Sequence, residues 1–218
     1  MNKLIILYSV LAVAFARMGN SIDSSTYGNI EQVRTKSLHL GLTVSFDDKT
    51  FTGHAFHELE ILENNVEGVY FDAVGMDISS IVQEYKKGTS YGTKFPVTFN
   101  TTLTNPKLGY SLGVKLHEPA NIGDQIFLNI TYKTNDKSTA VSWLTKDQTH
   151  DKTMTYLYSQ CEDIACRSIA PLQDTPANKF TYTADITVKT GFVVKMSAND
   201  TGSVNDTTTG MTTFSFSC

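Results

Sequence analysis

Two stretches of the chain hold side chains whose types and spacing bear on chemistry. The first is His54-Ala55-Phe56-His57-Glu58. Zinc-dependent hydrolysis commonly rests on His-Glu-x-x-His in a helix, which puts two imidazoles one turn apart on one face with the carboxylate beside the metal-bound water. Here the two histidines are three residues apart in a segment that alternates, so they point to opposite faces of a strand and do not share a metal. The expectation is an ordinary strand with partly exposed histidines, and His39, His117 and His150 are read as isolated. The second stretch, from Tyr156 to Pro176, includes Gln160, Glu162, Asp163, Arg167, Gln173 and Asp174. An amide, carboxylates and an arginine in an irregular run between strands make a loop able to bind polar groups. No Gly-x-Ser-x-Gly elbow marks a serine nucleophile.

Strands must hold that loop in place. Leu38, Leu40, Leu42, Val44 and Phe46 are separated by His39, Gly41, Thr43 and Ser45, the period-two pattern of a strand with one face in a core. The same reading fits 55–61, 69–74, 108–116, 126–132, 180–188 and 193–198, for roughly eight to twelve strands in all. Turn residues fall between them, among them Asp47-Asp48-Lys49, Asn64-Asn65, Asn121-Ile122-Gly123-Asp124 and Thr190-Gly191. The best helical candidate, Ile78 to Tyr85, is short and reads equally well as a strand plus turn. The Thr/Asn/Asp-rich stretch 199–210 reads as a long hairpin loop or a frayed segment. With no repeat and no linker composition, residues 24–218 are expected to form one all-β domain.

The chain has 218 residues, 40% hydrophobic and 18% charged, which suffices for a sizeable core. Eighteen Lys and Arg against 22 Asp and Glu give a net charge of −4, so no basic field exists to hold nucleic acid or an anionic membrane. Residues 1–16 carry Lys3, an apolar run from Leu4 to Val13 and the small residues Ala14 and Ala16, the pattern of a cleavable secretory signal. That run is shorter than the roughly 20 residues of a spanning helix. With 17–23 as a short leader, the chain is expected to be secreted, and its four Asn-x-Thr sequons, at Asn100, Asn129, Asn199 and Asn205, become candidate glycosylation sites. Asn100 and Asn129 are the two favoured.

Several motifs, in order along the chain, carry a family resemblance. Tyr27-Gly28-Asn29-Ile30-Glu31-Gln32-Val33-Arg34-Thr35 leads into His39-Leu40, and Ser142-Trp143-Leu144-Thr145 is followed by Gln148-Thr149. Then come Ser159-Gln160-Cys161-Glu162, Cys166-Arg167-Ser168-Ile169, Gln173-Asp174-Thr175-Pro176, Thr181-Tyr182-Thr183-Ala184 and Met196-Ser197-Ala198. Together they resemble the N-terminal domain of zinc aminopeptidases of the aminopeptidase N type, most like the leukotriene A(4) hydrolase branch. The resemblance implies a large, saddle-shaped, mostly antiparallel β domain that lends a loop to the substrate cleft. Gln160 matches the loop glutamine that faces substrate. Glu162 stands where many aminopeptidases carry a glutamate for the substrate's α-amino group and where the leukotriene branch typically carries glutamine. A carboxylate facing an ammonium makes a charge-assisted hydrogen bond, so Glu162 favours a peptide-type cleft. Arg167, Asp174 and Pro176 match family positions as loop scaffold, and Trp143 is read as a packing anchor. If the chain is exported, Cys161 and Cys166 are free to pair. The resemblance gives no reason for it, because related intracellular enzymes keep thiols there, and Cys218 is unpaired by counting.

The family's zinc helix, its distal glutamate ligand, its Gly-x-Met-Glu-Asn strand and its oxyanion-stabilising tyrosine are absent from this sequence. Hydrolysis without a metal-activated water lacks its nucleophile, so this chain is expected to hold no cofactor and to hydrolyse no peptide. Two readings follow. The chain is a secreted, non-catalytic binding module for a peptide or protein, or it is the N-terminal part of a complete zinc aminopeptidase or epoxide hydrolase, working with a separate catalytic domain. A carbohydrate-binding β-sandwich ranks last, since the ten tyrosines and twelve phenylalanines are spread through strands rather than clustered.

Overall fold

β-Branched and aromatic residues at alternate positions suit a pleated, half-buried chain, and here they form thirteen strands, with no α-helix among the described residues. The computed structural model describes residues 23–87 and 90–218. The suggested signal, residues 1–16, and all of the 17–23 leader except Asp23 lie outside them. In order the strands are β1 (Val33–Ser45), β2 (Thr50–Ile61), β3 (Val66–Ala73), β4 (Met76–Lys87), β5 (Ser90–Pro96), β6 (Phe99–Asn105) and β7 (Gly109–Ala120). They continue with β8 (Ile126–Thr134), β9 (Val141–Leu144), β10 (Tyr156–Ser159), β11 (Thr181–Lys189), β12 (Asn199–Asp206) and β13 (Met211–Ser217).

An eight-stranded sheet runs β12-β13-β11-β1-β2-β8-β4-β5, accompanied by a three-stranded sheet β3-β7-β6 and the two-stranded β9-β10 hairpin. The pairing of β1 with β11 is parallel, and the other ladders are antiparallel. Alternation places Leu59, Ile81, Ile126, Leu128 and Ile130 of the large sheet against Val69, Phe71, Leu112 and Val114 of the three-stranded sheet. Complete burial of each such side chain contributes roughly 1.5–3 kcal/mol. A second core sits farther along the same face of the large sheet. There Leu38, Leu42, Phe51, Tyr132, Ala184, Ile186 and Phe216 pack with Leu172, and Trp143, Leu157 and Ile169 join them. Trp143 is the expected anchor, its ring 5.6 Å from that of Phe46 and 5.7 Å from that of Phe51.

One open reading is resolved and two local expectations are corrected. Ile78 to Tyr85 belongs to β4, where a register shift between Ile78 and Ser80 breaks the alternation. The bulge spaces Ile78 and Ile81 three apart, which mimics a helical stripe. Residues 193–198 form no ladder. Their alternation is real, with Phe192, Val194, Met196 and Ala198 packed on the second core, but among the described residues, 193–198 pair with no strand, and the nearest pairing is the isolated Thr190–Phe192 bridge. The 199–210 stretch is not a frayed loop. It contains β12, paired along its length with β13, and its polarity fits an edge strand whose residues are all exposed.

The loop of interest crosses from β10 to β11 over the end of β3. Asp72 and Leu172 exchange backbone hydrogen bonds at 2.6 and 3.1 Å, and the Val74 N–H donates to the Arg167 carbonyl at 2.9 Å. Gly109, at the start of β7, lies close against the end of β3. Its φ is +79°, and a Cβ there would lie 2.4 Å from the Ala73 carbonyl oxygen.

Candidate functional site

The β9-β10 hairpin ends at Ser159, and the Gln160 N–H then donates to the Ala140 carbonyl at 2.8 Å. Gln160 and Glu162 are both exposed. The Glu162 carboxylate makes no hydrogen bond or ion pair among the described residues, so it is free to receive a cation. The residues behind it are tied down. Cys161 and Cys166 form a disulfide with Cα atoms 4.7 Å apart, so the thiols of related intracellular enzymes are no guide here. Cys218 is free and exposed. Within the ring the Ala165 N–H donates to the Cys161 carbonyl at 2.8 Å. The Ser168 hydroxyl donates to the Ala165 carbonyl at 2.7 Å and accepts from the Ala140 N–H at 3.1 Å. Replacing Cys161 and Cys166 together by serine is expected to cost about 2 kcal/mol, the loop-closure value for so small a ring. It should also speed amide exchange at residues 161–166 while Arg167 stays protected. An unchanged unfolding midpoint in urea would show that the backbone bonds alone hold the loop.

Arg167 anchors the other side and is only 1% exposed. Its Nη1 donates to the Leu108 carbonyl at 3.0 Å, and its Nη2 donates to the carbonyls of Ser25 at 2.6 Å and Asp174 at 2.8 Å. Its Nε donates to Asp174 Oδ2 at 3.2 Å, and Asp72 Oδ1 lies 3.4 Å from Nη1. Asp72 is itself fully buried and accepts from the Thr26 hydroxyl at 2.5 Å and from the N–H groups of Tyr27 and Asp174 at 2.7 and 2.9 Å. Burial pushes the Asp72 carboxyl above the usual carboxylate range, while Thr26, Tyr27 and Arg167 pull it back. The N-terminal segment 25–27 is thereby clamped to the loop, and Asp23 adds an acceptor for the Thr175 hydroxyl. Pro176 is exposed at the second position of a turn closed by the Asn178 N–H and the Thr175 carbonyl, 3.2 Å apart, where its fixed φ fits.

Sequence reasoning missed the buried partners. Asp72 lies in an apolar run of β3 between Phe71 and Ala73, and a carboxylate there was the available signal. Gln173 is buried and bridges two elements: its Nε2 donates to the Val33 carbonyl at 2.9 Å while its Oε1 accepts from the Thr35 N–H at 2.8 Å and Asn178 Nδ2 at 3.0 Å. His57, expected to be partly exposed, is completely buried. It shares the phase of Ala55, Leu59 and Ile61 on the core face of β2, with Nδ1 3.1 Å from the Thr35 hydroxyl.

His54 faces the other side of β2, as expected, but His39 is not isolated. The two rings are 5.7 Å apart, and His39 Nε2 is 3.7 Å from Asp185 Oδ2. Burial lowers the pKa of His54, and His39 adds to the shift. No three His, Cys, Asp or Glu side chains gather to hold a metal among the described residues, and the split between His54 and His57 does not fit zinc. The sequon asparagines differ in setting. Asn100 on β6 and Asn199 and Asn205 on β12 are exposed, whereas Asn129 in central β8 is half-buried with Oδ1 enclosed.

Residues 32–218 match the family described as the Peptidase M1 N-terminal domain. The chain is 29% identical over 184 residues to the leukotriene A-4 hydrolase of Xenopus laevis, covering 84% of this chain and 29% of that protein. It is 31% identical over 192 residues to leucine aminopeptidase 2 of Yarrowia lipolytica, covering 85% and 28%. The solved structure of native leukotriene A4 hydrolase from Saccharomyces cerevisiae matches with a TM-score of 0.73 at 27% identity, over 92% of this chain and 29% of that one. An M1 zinc metallopeptidase from Deinococcus radiodurans, at 17% identity and a TM-score of 0.66 over 88% of this chain and 41% of that one, shares the fold. The chain thus spans under a third of the length of the curated relatives it matches. The family match runs through the two large-sheet cores, the clamped loop and the final hairpin alike, and this chain belongs to the Peptidase M1 N-terminal domain family.

Proposed function

We propose that the chain is a secreted, non-catalytic recognition module that binds the free N-terminus of a peptide through Glu162 and Gln160. The observation that carries this reading is an exposed, unpartnered Glu162 carboxylate on a loop held from behind by a disulfide and a buried arginine cluster. Such a loop loses little freedom when it takes a ligand. The carboxylate supplies the charge for an ammonium, and Gln160 offers an amide donor and acceptor beside it. The disulfide also supports export, since such bonds persist in oxidising compartments.

Titration of the full chain with a short peptide, free or N-acetylated, tests the assignment. The free-amino peptide should bind, and Glu162→Gln should weaken it roughly five- to tenfold, an exposed charge-assisted bond being worth about 1–1.4 kcal/mol. N-acetylation should weaken binding at least as much. Equal affinity for both peptides would remove Glu162 from the role. A second reading is favoured by the chain's short span of its relatives. In it the same loop faces a cleft completed by a catalytic domain that holds zinc, and the intact mass of the native product separates the two.

A further inference from the structure

We propose that Asn100 is a glycosylated asparagine whose first sugar lies over Gly113 and stacks on the ring of Tyr70. The register places these residues in one row across the outer face of the three-stranded sheet, with Gly113 paired to Asn100 on one side and to Tyr70 on the other. Leu112 and Val114 point the opposite way, into the core. A Cβ at Gly113 would lie 2.5 Å from Asn100 Oδ1 and 3.1 Å from Tyr70 Cε1. The carboxamide and the aromatic ring therefore meet above the glycine, and Tyr70 remains 45% exposed. Around them opens a groove of about 420 Å³, floored by Gly68 and Gly113 and flanked by Glu67, Lys115 and Phe99. That volume falls in the roughly 300–1,000 Å³ range of small-molecule sites.

The chemistry suits one occupant. Asn100-Thr101-Thr102 is a sequon on an exposed edge strand, and a sugar joined to it starts within reach of the Tyr70 ring. A pyranose presents a C–H face that packs on an aromatic ring and hydroxyls that suit a carboxylate and an ammonium such as Glu67 and Lys115. In the modification the Asn100 Nδ2 gives up one proton and forms a bond to the anomeric carbon of an oligosaccharide carried on a lipid diphosphate, and the lipid diphosphate leaves. No oxidant or reductant is needed. Two of the other sequons differ in setting: Asn129 encloses its Oδ1, and the Asn205 Oδ1 already accepts from the Thr190 and Thr212 hydroxyls at 3.0 and 3.2 Å.

The inference rests on export of the chain, and the experiment separates the two. The full chain is expressed in eukaryotic cells and sought in the medium, its glycans are trimmed to a single sugar, and occupancy is read by peptide mass spectrometry. Thermal unfolding then compares the wild type with Asn100→Gln, Tyr70→Ala and the double variant. Asn100 should be occupied, and Asn100→Gln should lower Tm by roughly 2–4 °C, the shift expected from one modest contact in a chain of this size. In the Tyr70→Ala background that loss should vanish, because the cycle isolates the contact. Tyr70→Thr, which keeps strand propensity, takes its place if Tyr70→Ala does not fold. If the chain does not reach the medium, both export and the proposal fall. If it is exported and Asn100 is bare, the proposal falls alone. An equal Tm loss in both backgrounds also overturns it.

Discussion

Arg167→Met is expected to destabilise the chain by about 3–5 kcal/mol, the usual cost of removing one partner from a buried ion pair. The guanidinium holds the buried Asp72 carboxylate, the half-buried Asp174 carboxylate and three backbone carbonyls at once. Methionine fills much of the volume but leaves Asp72 charged and enclosed, and the carbonyls of Ser25, Leu108 and Asp174 lose their donors. Arg167→Lys should recover little, because one ammonium cannot span acceptors arranged for a planar fork. The N-terminal segment should loosen with it, since Ser25 is held by Nη2 and Thr26 and Tyr27 by Asp72. Urea unfolding near neutral pH gives the free-energy change, and limited proteolysis reports release of residues 23–30. A loss below about 1 kcal/mol would mean that water reaches the cluster. A triple variant, Arg167→Met with Asp72→Asn and Asp174→Asn, should recover part of the loss, because the cost lies in the orphaned charge more than in the pair itself.

That cluster also marks how far the sequence could be read. Every core strand with clean alternation was legible, since period two and a buried face are the same fact seen twice. β4 was not, because a bulge at Ile78/Ser80 shifts the phase midway. The polar β12 was not, because an edge strand is defined by its neighbour β13 rather than by its own side chains. At the site, the loop and its exposed residues Gln160 and Glu162 stood out as an irregular polar run. The contacts that hold the loop did not. Asp72 reaches Asp174 across 102 positions and Gln173 reaches Thr35 across 138, and no local pattern records such a meeting. The disulfide lay between: its two cysteines were visible, but the pairing depends on the turn that brings them together.

His57 makes stability depend on pH in a way that can be isolated. The imidazole is completely buried, its ring centroid 4.6 Å from that of Phe71, and Nε2 makes no hydrogen bond. Burial depresses its pKa from 6.5 to about 3, and the nearby Pro171 carbonyl offsets only part of that. Below 6.5 the unfolded chain takes up a proton at this position that the folded chain refuses. Stability is therefore complete above pH 6.5 and is lost as pH falls toward 3, at up to about 1.4 kcal/mol per pH unit and roughly 3–5 kcal/mol over the window. Between pH 6.5 and 4.5 most carboxylates stay ionised in both states, so the slope there belongs mainly to histidine. Asp72, raised by burial, contributes the opposite slope, and the partly solvated His54 adds to that of His57. Comparison with His57→Gln removes both background contributions. The variant should be less stable than the wild type at pH 7, having lost a well-packed ring, yet its stability should fall far less between pH 6.5 and 4.5. Parallel curves for the two proteins would mean that folded His57 can bind a proton, which requires that water reach Nε2 through the core between β2 and β3.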